Sequence, residues 1–333
     1  MVAVLQTLKK DNEITIVTKL RGFAAMSVFL FHLVCLSNGY ISGKLLNQLF
    51  AYGKYGVQCF FVISGFVITY SMLKGNYTIR DFFTFLKKRV IRIEPPYLVI
   101  VLLTVLFLIV RNRSGMANGD NALPGVNQVL LHIGYLIPFS RYDWLSIVFW
   151  TLAVEFQFYL LFSLLFQWYV SNRWVRWGAE ILFIGLFFTN TSSALFLNWS
   201  PVFLLGINLA LFKMQVIKIG ELGITSLLLA SIIFYKAGWE VFSFSFIPFV
   251  LIYLEPRIKS RFWDFFGKIS YSLYLCHTLV AFAIINWGIR HTQHIYQKIF
   301  FVLLALGATI IFSYLLYYFV EKPFKKIASA IKY

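Results

Sequence analysis

Apolar runs of similar length recur along the chain, separated by short connections that hold most of the lysines and arginines. A helix needs about 20 consecutive apolar residues to cross the hydrocarbon core of a bilayer. On that measure the pattern predicts about ten transmembrane helices, at 22–38, 55–73, 94–110, 145–167, 178–190, 195–212, 221–237, 239–254, 268–289 and 298–320. The run 178–190 is short and the turn at 237–240 is tight. Two connections are longer. Residues 74–93 mix Phe82, Phe83, Phe85, Leu86, Val90 and Ile91 with Arg80, Lys87, Lys88, Arg89 and Arg92. That basic, aromatic stretch suits a helix lying in the cytoplasmic interface. Residues 111–144 form the main outer loop, polar from Asn112 to Gly125 and apolar from Val126 to Phe139. The apolar middle, at ~14 residues, is short for a span and reads as re-entrant or interfacial.

Charge fixes the orientation of this layout. The 30 Lys and Arg against 13 Asp and Glu give a net charge of +17. With the N-terminus in the cytoplasm, most of the basic residues fall on the cytoplasmic side, as the positive-inside rule requires. An even number of spans then places both termini there. The basic excess is thus topological anchoring, and no nucleic-acid partner is expected. Composition agrees: 60% of residues are hydrophobic and 13% charged, against about 45–50% and about 25% in soluble domains. A soluble enzyme, a disordered chain and a secreted disulfide scaffold are excluded. Cys35, Cys59 and Cys276 all lie in apolar segments, so neither a disulfide framework nor a metal site is expected. Residues 1–19 lack an apolar core of the signal-peptide kind, so the first apolar run is expected to stay as a span. The fold class is all-α integral membrane: one polytopic bundle over 1–333, with its core at about 20–324 and no appended soluble domain.

Ionisable residues at membrane depth are costly and face the protein interior. Few occur here. Arg21 and His32 are eleven helical steps apart, which leaves them ~20° apart on one face and ~16 Å apart along the axis. The cation sits at the interface and the imidazole deeper. His32 is either a general base or a helix-to-carbonyl tie. Glu155 lies inside the fourth span and shares a face with Thr151 and Tyr159. Its carboxylate needs a cation or a proton donor, or it serves a hydrogen-bond network between helices. His277 shares a face with Ser270 and Tyr274, and the same two readings stand for it. Arg89 and Arg92, at i and i+3, precede Pro95 and Pro96, which are expected to open a new helix. Two guanidiniums at that place suit phosphate binding or plain anchoring. Cys35, one turn from His32, is read as packing rather than as a nucleophile.

Spacing and composition lead to a membrane protein with a buried acid/base site and no further. Five stretches, in order, add more: Arg21 to His32; Phe60-Phe61-Val62-Ile63-Ser64-Gly65-Phe66; Arg89-x-x-Arg92-Ile93 with Pro95 and Tyr97; Trp150-Thr151-Leu152 leading to Glu155 and Phe158-Tyr159; and Tyr271-Ser272-Leu273-Tyr274-Leu275-x-His277, with Glu321-x-Pro323 near the end. On these the chain resembles the acyltransferase-3 family of integral membrane O-acyltransferases, from about residue 19 to 324. The resemblance implies transfer of an acyl group, commonly acetyl, from cytoplasmic acyl-CoA to a hydroxyl of a surface or lipid-linked glycan. It implies a bacterial cytoplasmic membrane location and no permanently bound cofactor, with acetyl-CoA as co-substrate. It makes the histidine matching His32 essential and the positions matching Arg21, Arg89 and Arg92 functionally important. The resulting expectation has Arg21, Arg89 and Arg92 holding the donor's phosphates and His32 acting as the base. Glu155 supports the imidazolium, and Tyr271 and His277 position the acceptor or the oxyanion. Two rivals remain at this level: a transporter or flippase for a polyprenyl-linked glycan or a drug, and a non-catalytic scaffold for glycan assembly.

Overall fold

The computed structural model describes residues 15–37, 40, 43–113, 123–189, 192–292 and 294–332. The polar N-terminal segment before Thr15, and 114–122 of the outer loop, lie outside the described residues. Among the described residues the chain is helical throughout, without strands. The main helices are α1 (Thr15–Cys35), α2 (Lys44–Ala51), α3 (Gly56–Lys74), α4 (Phe82–Arg113), α5 (Val126–Ile133) and α6 (Phe149–Ser171). They continue with α7 (Arg173–Phe187), α8 (Ser200–Lys213), α9 (Ile219–Leu254), α10 (Arg261–His291), α11 (Ile295–Leu316) and, after a π turn at Tyr317–Glu321, α12 (Lys322–Ala330). Eight of these segments are long and apolar enough to cross a membrane.

Two features raise eight to ten passes. A straight helix of 36 residues, the length of α9, would run ~54 Å, far beyond a ~30 Å hydrocarbon core. It is broken at Gly238, whose φ of 87° only glycine adopts at little cost. Lys213, at the end of α8, donates to Glu255 Oε1 (3.0 Å) and to Tyr253 O (2.9 Å) at the far end of α9. The start of α9 follows Lys213 by a few residues. The far end of α9 is therefore held beside Lys213, a few residues from where α9 starts, and the chain reverses at Gly238. The 15-residue α7 runs beside the first arm of this hairpin. Arg176 Nη2 bonds Glu221 Oε1 at 2.7 Å at one end, and Lys236 Nζ donates to Phe187 O at the other.

Three expectations need correction. The stretch 74–93 holds no separate interfacial helix, because α4 starts at Phe82 and runs unbroken to Arg113. Pro95 and Pro96 do not open a new helix; they sit inside α4. Their missing N–H groups free two carbonyls, a cost that membrane helices tolerate when neighbours pack on both sides. Here Phe85 and Arg89 are buried before the prolines, and Tyr97, Ile100 and Val101 after them. Finally, the first span, expected at 22–38, is the described helix Thr15–Cys35, and Lys19 within it tolerates burial because it pairs with Asp264 at 2.7 Å.

The apolar middle of the outer loop forms α5 and a 3₁₀ turn at Ile137–Phe139. Val126, Leu130 and Phe139 are exposed there while His132 is fully buried. With eight residues, α5 cannot span, and its one-sided apolar exposure fits an interfacial position.

The candidate active site

Helices α1 and α10 run side by side and bring the first site together. Small residues allow the approach: a Cβ on Gly22 would stand 2.7 Å from Gly267 N, and one on Gly267 2.2 Å from Thr18 O. This seam aligns His32 in the last turn of α1 with His277 midway along α10. His277 Nε2 and His32 Nδ1 are 3.1 Å apart. His32 Nδ1 is also 2.9 Å from Val28 O, and His277 Nδ1 is 3.1 Å from Leu273 O.

These contacts fix the tautomers. A carbonyl only accepts, so each neutral ring carries its proton on Nδ1. Nε2 of His277 is then a lone pair that accepts from His32 Nδ1–H. The remaining lone pair, on Nε2 of His32, has no hydrogen-bond partner among the described residues. The arrangement holds a neutral imidazole with its basic nitrogen free, and a second imidazole placed to stabilise the first when it is protonated. The histidine rings are nearly buried, at 7% for His32 and 0% for His277.

Below the pair, on the Arg21 side, lies a cavity of about 50 Å³ lined in part by Arg21, Phe60, Thr151, Glu155, Tyr271 and Tyr274. That is room for a very few atoms beyond one or two waters. Its roof is Tyr274, whose ring lies 5.9 Å from that of His277. Thr151 donates to Val148 O (2.9 Å), so Tyr274 is the donor in the 2.8 Å pair that it makes with Thr151. Glu155 forms one wall. It accepts from Ser64 Oγ at 2.5 Å and from Tyr159 OH at 3.0 Å. Arg89, 5% exposed, stacks its guanidinium over Phe85 (5.2 Å) and Tyr159 (5.8 Å). Arg92 is half-buried and lies within electrostatic reach of Arg89, Arg21 and Glu321.

The predicted site residues thus fall into two groups. Arg21, Glu155 and Tyr271 line the cavity; Arg89 and Arg92 do not, and Arg89 is joined to it through Tyr159, which bonds Glu155. His32 and His277 form the pair above it. Glu155 has a different partner from the one expected: among the described residues no hydrogen bond links it to His32, and the group beside His32 is His277. The reason is depth. His32 lies in the last turn of α1, ~5 Å from its outer end, whereas Glu155 is ~9 Å into α6 from the same side and bonds Ser64 below the imidazole. Tyr271 spends its proton on Ile93 O at 2.7 Å, which ties α10 to α4 and takes that proton away from any oxyanion. Sequence reasoning gave no role to Glu321. It is buried in the π turn and accepts from Ser272 Oγ at 2.7 Å. Its signal was a lone carboxylate at the end of an apolar run. Ser64 stood within one of the five stretches that carry the resemblance but was given no role there.

Fold and site together define a polytopic helical membrane protein with a histidine pair above a small charged cavity. A family profile described as an acyltransferase domain matches residues 17–318, and the chain belongs to that acyltransferase-3 family. It is 26% identical over 378 residues to a Staphylococcus aureus (strain COL) protein named as an O-acetyltransferase, covering 96% of this chain and 58% of the relative. It is likewise 26% identical over 359 residues to the O-acetyltransferase OatA of S. aureus (strain NCTC 8325 / PS 47), covering 92% of this chain and 56% of OatA. The chain therefore spans little more than half the length of these curated relatives. No solved structure matches it.

Proposed function

We propose that the protein is a membrane O-acyltransferase that moves an acyl group, acetyl in the first instance, from acyl-CoA on the cytoplasmic side to a hydroxyl of a surface or lipid-linked polysaccharide in a bacterial cytoplasmic membrane. The observation that carries this reading is the His32–His277 pair, which leaves one basic nitrogen without a hydrogen-bond partner among the described residues in a nearly buried, hydrogen-bonded frame. Family membership and relatives named as O-acetyltransferases supply the reaction class.

In the proposed step, Nε2 of His32 takes the proton of the acceptor hydroxyl as its oxygen attacks the thioester carbonyl. The C–O bond forms and a tetrahedral oxyanion follows. Its collapse breaks the C–S bond, and the departing CoA thiolate recovers the proton from Nε2–H of His32. Throughout, His277 Nε2 accepts from Nδ1–H of His32 and stabilises the imidazolium. Glu155, Arg21, Arg89 and Arg92 serve the donor: the cations attract its anionic end, while Glu155 fixes the polar wall of the cavity toward which the thioester is drawn.

The test is transfer by the purified protein in lipid nanodiscs, with mass spectrometry of the polysaccharide as readout. General-base assistance is worth ~10²–10⁴-fold, so His32→Ala should lose at least that much turnover with unchanged expression. A hydrogen bond to a charged group contributes ~1.5–3 kcal/mol, so His277→Leu should lose about 10–100-fold in kcat while the KM for acetyl-CoA stays put. Wild-type turnover by either variant would remove the pair from the mechanism. Glycan movement across the membrane without thioester consumption would favour a transporter instead.

A further inference from the structure

A second, larger cavity opens at the end of the bundle that holds Arg21. It measures about 520 Å³ and is lined by Lys19, Arg257, Lys259, Ser260, Arg261 and Asp264 among others. Lys19 is already paired with Asp264 at 2.7 Å. Arg257, Lys259 and Arg261 are exposed and make no ion pair among the described residues. Three cations on alternate residues of one short loop repel each other, and they are held together by pins at both ends of that loop. Lys213 bonds Glu255 at its start, and Trp263 N donates to Ser260 Oγ (3.3 Å) at its end, where the 31-residue α10 begins. Basic residues that only anchor a topology flank the helices toward lipid headgroups. These line a concave space.

We infer that this cavity seats the phosphorylated nucleotide end of the acyl donor. The inference rests on the donor reading proposed above. Its argument is one of size and charge. The cavity beside Glu155 is about 50 Å³, which admits a thioester and no nucleotide. Arg89 is buried, with its guanidinium over the rings of Phe85 and Tyr159, and it does not line the larger cavity. A nucleotide carrying several phosphate charges must rest outside, near Arg21, on cations free to pair with it. Lys19 is two residues from Arg21, ~3 Å along the axis of α1 but ~160° around it, so the basic cavity sits at the foot of α1 at the same depth as Arg21, on the opposite face. The uncompensated guanidiniums and ammonium are suited to phosphate oxygens. From there the pantetheine arm crosses the end of α1 to Arg21 and the inner cavity.

The experiment uses the full chain in nanodiscs and the triple variant Arg257→Gln, Lys259→Gln, Arg261→Gln. Equilibrium binding of radiolabelled CoA should weaken by about tenfold or more, and the loss should shrink when dephospho-CoA replaces CoA. The KM for acetyl-CoA should rise in parallel, with the KM for acetyl-pantetheine, which lacks the nucleotide, unchanged. Equal CoA binding by both proteins overturns the assignment. So does an equal rise of KM for both donors, which would mark a structural effect. A loss of phosphatidylglycerol binding with CoA binding intact would give the cavity to a lipid headgroup and also overturn it. If the wild type binds CoA through these residues and yet transfers nothing, the cavity assignment stands and the acyltransferase reading falls.

Discussion

His132 is the side chain whose environment ties pH to stability outside the membrane-spanning segments. It is fully buried beside Trp144 and Phe149. Its Nδ1–H donates to Gln128 O (2.8 Å), its Nε2 accepts from Leu145 N (3.0 Å), and Tyr97 OH donates to its carbonyl (3.0 Å). Burial lowers its pKa below the usual 6.5, and the bond to Gln128 offsets only part of that. A proton added to Nε2 would face the Leu145 N–H head on. Because the folded value is the depressed one, the stabilisation is complete above about 6.5 and is lost as pH falls below it. The melting temperature should drop from pH 7.5 to pH 5, and His132→Leu should be less stable at pH 7.5 but show a shallower drop. Parallel slopes for the two proteins would defeat this account. The same residue marks what a sequence hides. Arg21, His32, Glu155 and His277 were legible because an ionisable group in an apolar run has to point inward. Their pairing was not, since His32 and His277 stand 245 positions apart and meet only because α1 packs on α10. His132 lies in the apolar stretch Val126 to Phe139, but that stretch is too short for a span, so nothing in the sequence marks the histidine as an ionisable group at membrane depth.

Glycines decide how the helices meet. At the crossing of α3 and α8, a Cβ on Gly65 would stand 2.3 Å from Phe203 O, and one on Gly206 2.0 Å from Val62 O. Membrane helices associate through such small-residue contacts, where backbones touch. This crossing also carries Ser64, which bonds Glu155, so the distance between α3 and α8 sets the wall of the cavity. Gly206→Ala must push backbone against backbone and should cost roughly 1–3 kcal/mol, seen as a lower melting temperature and a lost activity. Gly185 lies on the exposed face of α7, where an added methyl group would meet nothing within 4 Å. Gly185→Ala should be neutral or gain up to ~1 kcal/mol from helix propensity. Equal effects at the two positions would show that the crossing is not tight. At this scale the apolar runs predicted the helices well, because hydrocarbon length dictates span length. They misplaced the start of α4, where proline rules drawn from soluble helices do not carry over to a packed membrane helix.

The parity of the passes governs the whole molecule. Counting α9 as a hairpin and α7 as a crossing gives ten passes, so the two ends of the described chain lie on one side. With only one of the two features the count would be nine and the ends would be opposed. The contacts favour ten: Lys213 holds the far end of α9 beside the end of α8, and α7 is tied to the first arm of α9 at both of its ends. The 15 residues of α7 cover only ~22 Å, less than the ~30 Å core. That mismatch costs fractions of a kcal/mol per Å and is met by local thinning or by flanking residues that reach the interface; Arg173 and Trp174 at its start are placed for the second. By the positive-inside rule the Arg21 end is expected on the cytoplasmic side, the side from which the proposed acyl donor would arrive. A phosphatase fused behind Tyr333 should therefore be inactive in cells, and a fluorescent protein at the same place bright. A phosphatase inserted beside Gly238 should be active, since that turn is the outer tip of the hairpin. An active phosphatase behind Tyr333 would require an odd number of passes, and the basic cavity and the histidine pair would then face compartments opposite to those the donor and acceptor need.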